Sequence, residues 1–264
     1  MDLLGYLLAV LVGISLGAIG SGGSILTVPI LVYILHVQPV LATGYSLFIV
    51  GSTAFVGGVQ NAIQKNVDFK TAIIFGIPSI AAVYFTRLFL IPKIPNQLMV
   101  IDHFVVTKSI AIMLLFAVVM ILASITMIRS GVNIEASSGT IKYNYLLILL
   151  EGSVVGILTG MVGAGGGFLI IPALVLLAKM PMKLAIGTSL FIIAAKSLIG
   201  FIGDLQADAI VEWDLLFGFT AASVAGIFIG NNIRKKVNAE KLKIVFGWFV
   251  LAMGIYIIVK EFSS

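Results

Sequence analysis

Long stretches of this chain carry apolar residues on every face. Runs such as Ile110 to Ile128 and Leu242 to Val259 approach the roughly 20 residues that cross a bilayer core. They lack the strict apolar–polar alternation of barrel strands, so they read as helices, which satisfy their backbone groups internally. Broken at polar, glycine and proline positions, the pattern predicts segments at about 3–19, 24–35, 40–63, 70–91 and 104–128. It predicts a second set at about 145–162, 167–178, 184–204, 212–232 and 242–259. The second member of each set holds about a dozen residues, too few to cross unaided. The polar stretch from Arg129 to Tyr143 is the expected linker. The chain then divides into an N-terminal repeat 1–128, a linker 129–143 and a C-terminal repeat 144–264, together forming one domain.

The two sets are copies of one another. Gly13 falls on Gly156 at an offset of 143, and the same offset carries Gly17, Gly20, Gly22 and Gly23 onto Gly160, Gly163, Gly165 and Gly166. It continues through Pro29 and Pro172, Leu41-Ala42 and Leu184-Ala185, Ser46 to Ile49 and Ser189 to Ile192, and Gly57 and Gly200. Roughly 18 of about 45 positions are identical without a gap, more than shared apolar composition gives by chance. The stretch Met1 to Gly23 also invites reading as a signal peptide. It carries the acidic Asp2 and recurs in the second half, so it is expected to belong to the fold.

Composition sharpens the picture. Of 264 residues, 60% are hydrophobic and 10% charged, and mean hydropathy is +1.19. A soluble domain carries about a quarter charged residues, so the solvent here is lipid. The formal charge of +5 then marks cytoplasmic loops, and no nucleic-acid partner is expected. Lys65, Lys70, Arg129, Lys142, Lys179, Lys183 and the cluster Arg234, Lys235, Lys236, Lys241 and Lys243 fit on one side. Arg87, Lys93, Lys108 and Lys260 fall on the other, with the acidic stretch Asp204, Asp208, Glu212 and Asp214. That split requires an odd number of crossings in each half, so the halves are expected to be inverted relative to one another. The expected architecture is an all-α integral membrane protein of two inverted homologous repeats, each with four to five helical segments. Without cysteine there is neither disulfide nor thiolate metal site, and His36 and His103 lie far apart in sequence. No metal and no cofactor are expected.

Candidate chemistry begins at two glycine-rich breaks, Gly20-Ser21-Gly22-Gly23-Ser24 and Gly163-Ala164-Gly165-Gly166-Gly167. Each interrupts an apolar stretch and precedes a short helix. Glycine costs about 1 kcal/mol relative to alanine inside a helix, so such clusters are break points. A helix that starts at a break presents free N–H groups and a partial positive charge, a ready anion site. Paired breaks at matching places in two inverted halves point to a transport site near the membrane midplane. The competing reading is that small residues only permit close helix packing. A nucleotide-binding loop is excluded, because the required Gly-Lys-Ser/Thr ending is missing.

Beyond each break, Ser46, Thr53 and Gln60 are spaced by seven and share one helical face, and their duplicates are Ser189, Lys196 and Gly203. Thr43, Gly44, Gly187 and Thr188 open these helices and offer further hydroxyl or backbone contacts. Lys196 lies midway along its segment, where an ammonium costs roughly 2.5–3.5 kcal/mol to place, which makes it a functional candidate by default. The alternative is a buried ion pair with Glu151, itself a candidate for proton coupling. Arg87, near a segment end, is expected to snorkel to the interface. Trp213 and Trp248 are expected to anchor at an interface or pack against helices.

The paired Gly-X-X-X-Gly-X-X-Gly-X-Gly-Gly, followed by Pro29 or Pro172 and then by Gly-X-Ser-Leu-Phe, resembles the sulfite exporter TauE/SafE family. The resemblance covers nearly the whole chain and appears in both halves. It implies a multi-pass carrier of a bacterial or archaeal plasma membrane that moves a small sulfur-containing oxyanion such as sulfite, thiosulfate or a sulfonate. The expected partners are that anion and the lipid bilayer, and self-association is left open. An anion channel is a second reading. A third, an intramembrane hydrolase using Ser21 or Ser24, requires a nucleophile, a base and an orienting group together, which the sequence does not supply.

Overall fold

A computed structural model describes residues 3–20, 22–101, 104–129, 145–176, 180–207, 211–236 and 239–263. The expected linker beyond Arg129 lies outside the described residues, as does Ser21. The first half contains α1 (Leu3–Ile19), α2 (Gly22–Pro29), α3 (Pro39–Ile63), α4 (Phe69–Phe85), the single turn α5 (Ile91–Lys93) and α6 (Lys108–Arg129). The second contains α7 (Tyr145–Val162), α8 (Gly167–Leu176), α9 (Met182–Gln206), α10 (Trp213–Lys236) and α11 (Ala239–Ser263). Among the described residues six helices are long and apolar enough to cross a membrane. The chain is an all-α, multi-pass membrane protein.

Local chemistry sets the helix ends. Pro39 opens α3, where its missing N–H is no loss. Asp68 caps α4 by accepting from the Lys70 N–H at 3.0 Å and from the Thr71 hydroxyl at 2.7 Å. Pro29 closes α2, and the helix continues as a wider π turn over Ile30–Ile34, which accommodates the carbonyl register that proline disturbs. A similar π turn, Thr86–Leu90, joins α4 to α5. One expectation needs correction: the segment placed at 104–128 is not helical from its start. Phe104–Thr107 pairs antiparallel with Gln97–Ile101, and the helix begins only at Lys108. The run Val105-Val106-Thr107 is β-branched and prefers the extended strand.

Duplicated helices pack on one another in opposite directions. Along α3, Gly44 meets Asp204, Gly51 meets Leu198 and Gly58 meets Phe191, so the α9 number falls as the α3 number rises. Likewise Gly247 of α11 lies against Met127 of α6 and Gly254 against Met120. The outer pairs run parallel: Gly13 and Gly17 of α1 rest on the Ser223 and Ile227 carbonyls of α10. Gly226 and Gly230 rest in return on the Val10 and Ile14 carbonyls. The duplicate pair does the same, with Gly152 and Gly156 of α7 on the Phe75 and Ser79 carbonyls of α4. Exchanging the halves thus maps these contacts onto themselves. Here the packing role of small residues is real, because a side chain at these glycines would meet backbone atoms. Gly13→Leu is therefore expected to cost about 1–3 kcal/mol or more by overpacking. A lower melting temperature and a reduced monodisperse peak in detergent chromatography are the readouts, and unchanged behaviour would refute this account of the α1–α10 contact.

At the centre stand α3 and α9, the most buried of the candidate spans. Their antiparallel contact sets two poles. One holds the start of α3 and the end of α9. The other holds the end of α3 and the start of α9, where the Asp68 N–H donates to the Thr188 hydroxyl at 3.0 Å. Lys65 and Lys183 belong to this second pole, whereas Arg87 belongs to the first, matching the expected division of charge.

Candidate functional site

Each glycine-rich break is a reversal between two helical arms. Gly23 lies against the Val12 carbonyl and the Leu16 side chain of α1. In one continuous helix, residues 12 and 23 would stand about 16 Å apart, so α2 folds back beside α1. Gly166 likewise meets the Thr159 side chain of α7. Gly20 and Gly163 make the turns possible, with φ of 80° and 74°, a region that costs L side chains energy. The two breaks interlock with the opposite halves. Gly20 sits on Ile186 near the start of α9, and its duplicate Gly163 sits on the backbone of Thr43 near the start of α3. Ser24, buried at the beginning of α2, lies next to Gly165. Gly22 packs toward Phe246.

Lys196 is fully buried in α9 beside the second break. Its ammonium donates to the Thr159 hydroxyl at 3.1 Å, and that hydroxyl donates onward to the Gly156 carbonyl at 3.2 Å. A Cβ on Gly166 would stand 2.7 Å from Nζ, so the bare glycine is what admits the charge. One residue further, Gly167 begins α8; the Leu169 and Ile170 N–H groups donate to the Gly166 carbonyl at 3.0 Å, which leaves those of Gly167 and Phe168 as the helix's open donors. A buried ammonium, a hydroxyl and a helix N-terminus thus meet at the interface of the two halves. This arrangement can balance one small negative charge and hydrogen-bond several of its oxygens.

The other sequence candidates distribute around this centre. Ser46, Thr53 and Ser189 are buried along α3 and α9. Thr53 and Ser189 donate to carbonyls of their own helices, Ile49 at 2.7 Å and Ile186 at 2.8 Å. The Ser46 hydroxyl is buried without a hydrogen-bond partner among the described residues. Glu151 is half-buried on α7, eight residues and about 12 Å of helix before Thr159. The ion pair found among the described residues does not involve it. His36 is exposed beyond the π turn, about 18 Å of helix from Ser24, too far to serve that serine as a base.

Arg87 corrects the reading of an interfacial, snorkelling side chain. It is 1% exposed, and its Nη1 lies 3.2 Å from Asp204 Oδ2 at the end of α9 and donates to the Thr43 hydroxyl at 3.1 Å. Asp204, expected in an acidic loop, is likewise buried. The physical reason is the antiparallel packing of α3 and α9, which carries the end of α9 over the start of α3 and beneath the π turn that holds Arg87. Nε and Nη2 of Arg87 find no acceptor among the described residues, a cost of about 1–3 kcal/mol for a buried polar group. Arg87, Asp204, Lys108, Gly44 and Tyr45 line a cavity of ≈ 200 Å³. Sequence reasoning missed this cluster. The available signal was duplication: Asp204 falls on Asn61, a residue in the last turn of the 40–63 segment and not in a loop.

Comparison with known proteins follows from this geometry. The model of the family described as sulfite exporter TauE/SafE matches residues 5–257. A "Probable membrane transporter protein" of Xylella fastidiosa is 32% identical, covering 96% of this chain and 94% of its own length. Similar proteins occur in Methanocaldococcus jannaschii, 28% identical over 95% of this chain and 94% of that one, and in Bacillus subtilis, 27% identical over 98% and 99%. Both are also named as probable membrane transporter proteins. No solved structure matches the chain.

Proposed function

Because the chain belongs to the sulfite exporter TauE/SafE family of membrane transporters, we propose that it is a secondary carrier of a small sulfur-containing oxyanion such as sulfite, thiosulfate or a sulfonate. The anion binds between the halves, at the two breaks. The single observation that carries this reading is Lys196: a fully buried lysine beside Gly166 whose one hydrogen-bond acceptor among the described residues is a neutral hydroxyl. A buried charge without a counter-ion is expensive, and a transported anion would supply the missing charge in the loaded state. The broken helices add N–H donors at the first residues of α2 and α8, which begin at Gly22 and Gly167. Antiparallel duplicated helices support alternating access, in which one half rocks against the other and opens the same site to each side in turn.

The test is a thermal-shift screen of detergent-purified protein against sulfite, thiosulfate, sulfate and sulfoacetate, followed by counterflow in proteoliposomes. A ligand that binds the native state raises its apparent stability, by about 2.7 kcal/mol at a hundredfold excess over Kd. Selective stabilisation by a sulfur oxyanion and saturable counterflow are expected. Single-channel conductance in place of counterflow would convert the carrier into a channel, and indifference to all four anions would remove the sulfur assignment.

A further inference from the structure

The cavity at Arg87 is distinct from the Lys196 centre, and several independent observations give it a chemistry. Among the described residues its charged lining comprises two cations, Arg87 and Lys108, and one carboxylate, Asp204. Asp204 and Thr43 occupy only Nη1 of the guanidinium, so Nε and Nη2 remain as an unused pair of donors on a side chain that is 1% exposed. That edge of a guanidinium matches two oxygens of a planar or tetrahedral oxyanion. Lys108 donates one N–H to the Ile91 carbonyl and, as an ammonium, carries two more.

The cluster is also one-sided. Under the offset that relates the halves, Arg87 falls on Gly230 and Asp204 on Asn61, so neither charge has a charged duplicate. Asn231 donates to Gln60, and Asn61 donates to the Gly57 carbonyl. Duplication of the fold does not require charges at these two positions, so the Arg87–Asp204 pair calls for a separate role. Thr43 supplies the connection: its hydroxyl accepts from Arg87 while its backbone lies against Gly163 of the second break.

We propose that this cavity is a second anion site, an antechamber in which a small free oxyanion is held by the guanidinium of Arg87, released from Asp204, and by Lys108. From there the anion passes along Thr43 and Gly163 to or from Lys196. The inference rests on the anion-transport reading and adds a site to it. A volume of ≈ 200 Å³ suits an ion of this size with a few waters. Asp204 is the displaceable partner, since an arriving anion competes with its carboxylate for the same guanidinium.

Equilibrium binding of radiolabelled sulfite, with thiosulfate in parallel, to the detergent-purified full chain tests this. The variants are Lys196→Met, Lys108→Gln and the charge-balanced pair Arg87→Gln with Asp204→Asn. Wild type is expected to bind two equivalents, and Lys196→Met one. Adding Lys108→Gln to Lys196→Met should weaken the remaining site at least tenfold, as should adding the charge-balanced pair. If the latter does not fold, Lys108→Gln at the half-buried start of α6 still decides. Binding that depends on Lys196 alone overturns the antechamber and leaves the transport reading intact. Binding that depends on Arg87 and Lys108 but not on Lys196 upholds the cavity and overturns the Lys196 centre, and wild type that binds neither anion overturns both. Native mass spectrometry from phosphatidylglycerol nanodiscs separates the remaining source of an oxyanion. Co-purifying lipid that Lys108→Gln abolishes and sulfite does not displace makes the occupant a lipid headgroup and overturns the proposal.

Discussion

Lys196→Met is expected to weaken sulfite binding at the proposed centre by about 10- to 150-fold and to leave the folded protein at least as stable as wild type. The two halves of this expectation have one origin. Lys196 is fully buried, with the Thr159 hydroxyl as its acceptor at 3.1 Å. Its ammonium therefore gives up hydration for a single neutral hydrogen bond, a net cost in the unliganded protein of roughly 2.5–3.5 kcal/mol at membrane depth. Methionine fills nearly the same volume without a charge, so packing against Gly166 is kept and the cost disappears. In the loaded state the same ammonium meets an anion, and a hydrogen bond to a charged group contributes about 1.5–3 kcal/mol, or roughly 10- to 150-fold in affinity. A purely structural lysine would behave in the opposite way, with its loss lowering the melting temperature and leaving affinity untouched. Calorimetric titration and thermal unfolding in the same detergent separate the two cases.

Lys196 was legible in the sequence because a charge in the middle of an apolar run has few explanations. The breaks were legible for a related reason: glycine clusters at Gly20 to Gly23 and Gly163 to Gly167 oppose helix continuation twice, at one fixed offset. What they could not convey was direction. A glycine cluster is compatible with a kink or with a reversal, and only the contact of Gly23 with Val12 distinguishes them. The strand pair at 97–107 was hidden because its apolar residues merge with those of α6. The Arg87 cluster was hidden by a more general effect. Arg87 and Asp204 are 117 residues apart, and each stands near the end of an apolar segment, where a charge ordinarily faces water or lipid headgroups. Nothing local marks either as buried. Their pairing is a consequence of the antiparallel contact between α3 and α9, a property of the two halves together and of neither alone.

Arg87→Ala is expected to destabilise the protein by about 3–5 kcal/mol, because removing one member of a buried ion pair leaves the other charge uncompensated. Asp204 would then stand buried without the guanidinium, and the Thr43 hydroxyl would lose a donor. The charge-balanced double variant, Arg87→Gln with Asp204→Asn, should recover most of that loss, since neutral amides of similar size can hydrogen-bond to each other. Thermal unfolding of the wild type and both variants in one detergent tests this, with a decrease on the order of 10 °C for Arg87→Ala. A double variant as unstable as Arg87→Ala would show that packing of the long arginine stem, and not charge pairing, holds this end of the molecule. The comparison also bears on transport. The pair joins the π turn after α4 in the first half to α9 in the second, so any rocking of one half against the other stretches it. In the proposed antechamber, an arriving anion that takes over the guanidinium would free Asp204 at the moment the halves must part and so couple loading of the cavity to loosening of the interface. On this account the double variant keeps its stability but loses the anion dependence of that loosening. It is therefore expected to show sulfite counterflow at least tenfold slower than wild type while folding normally.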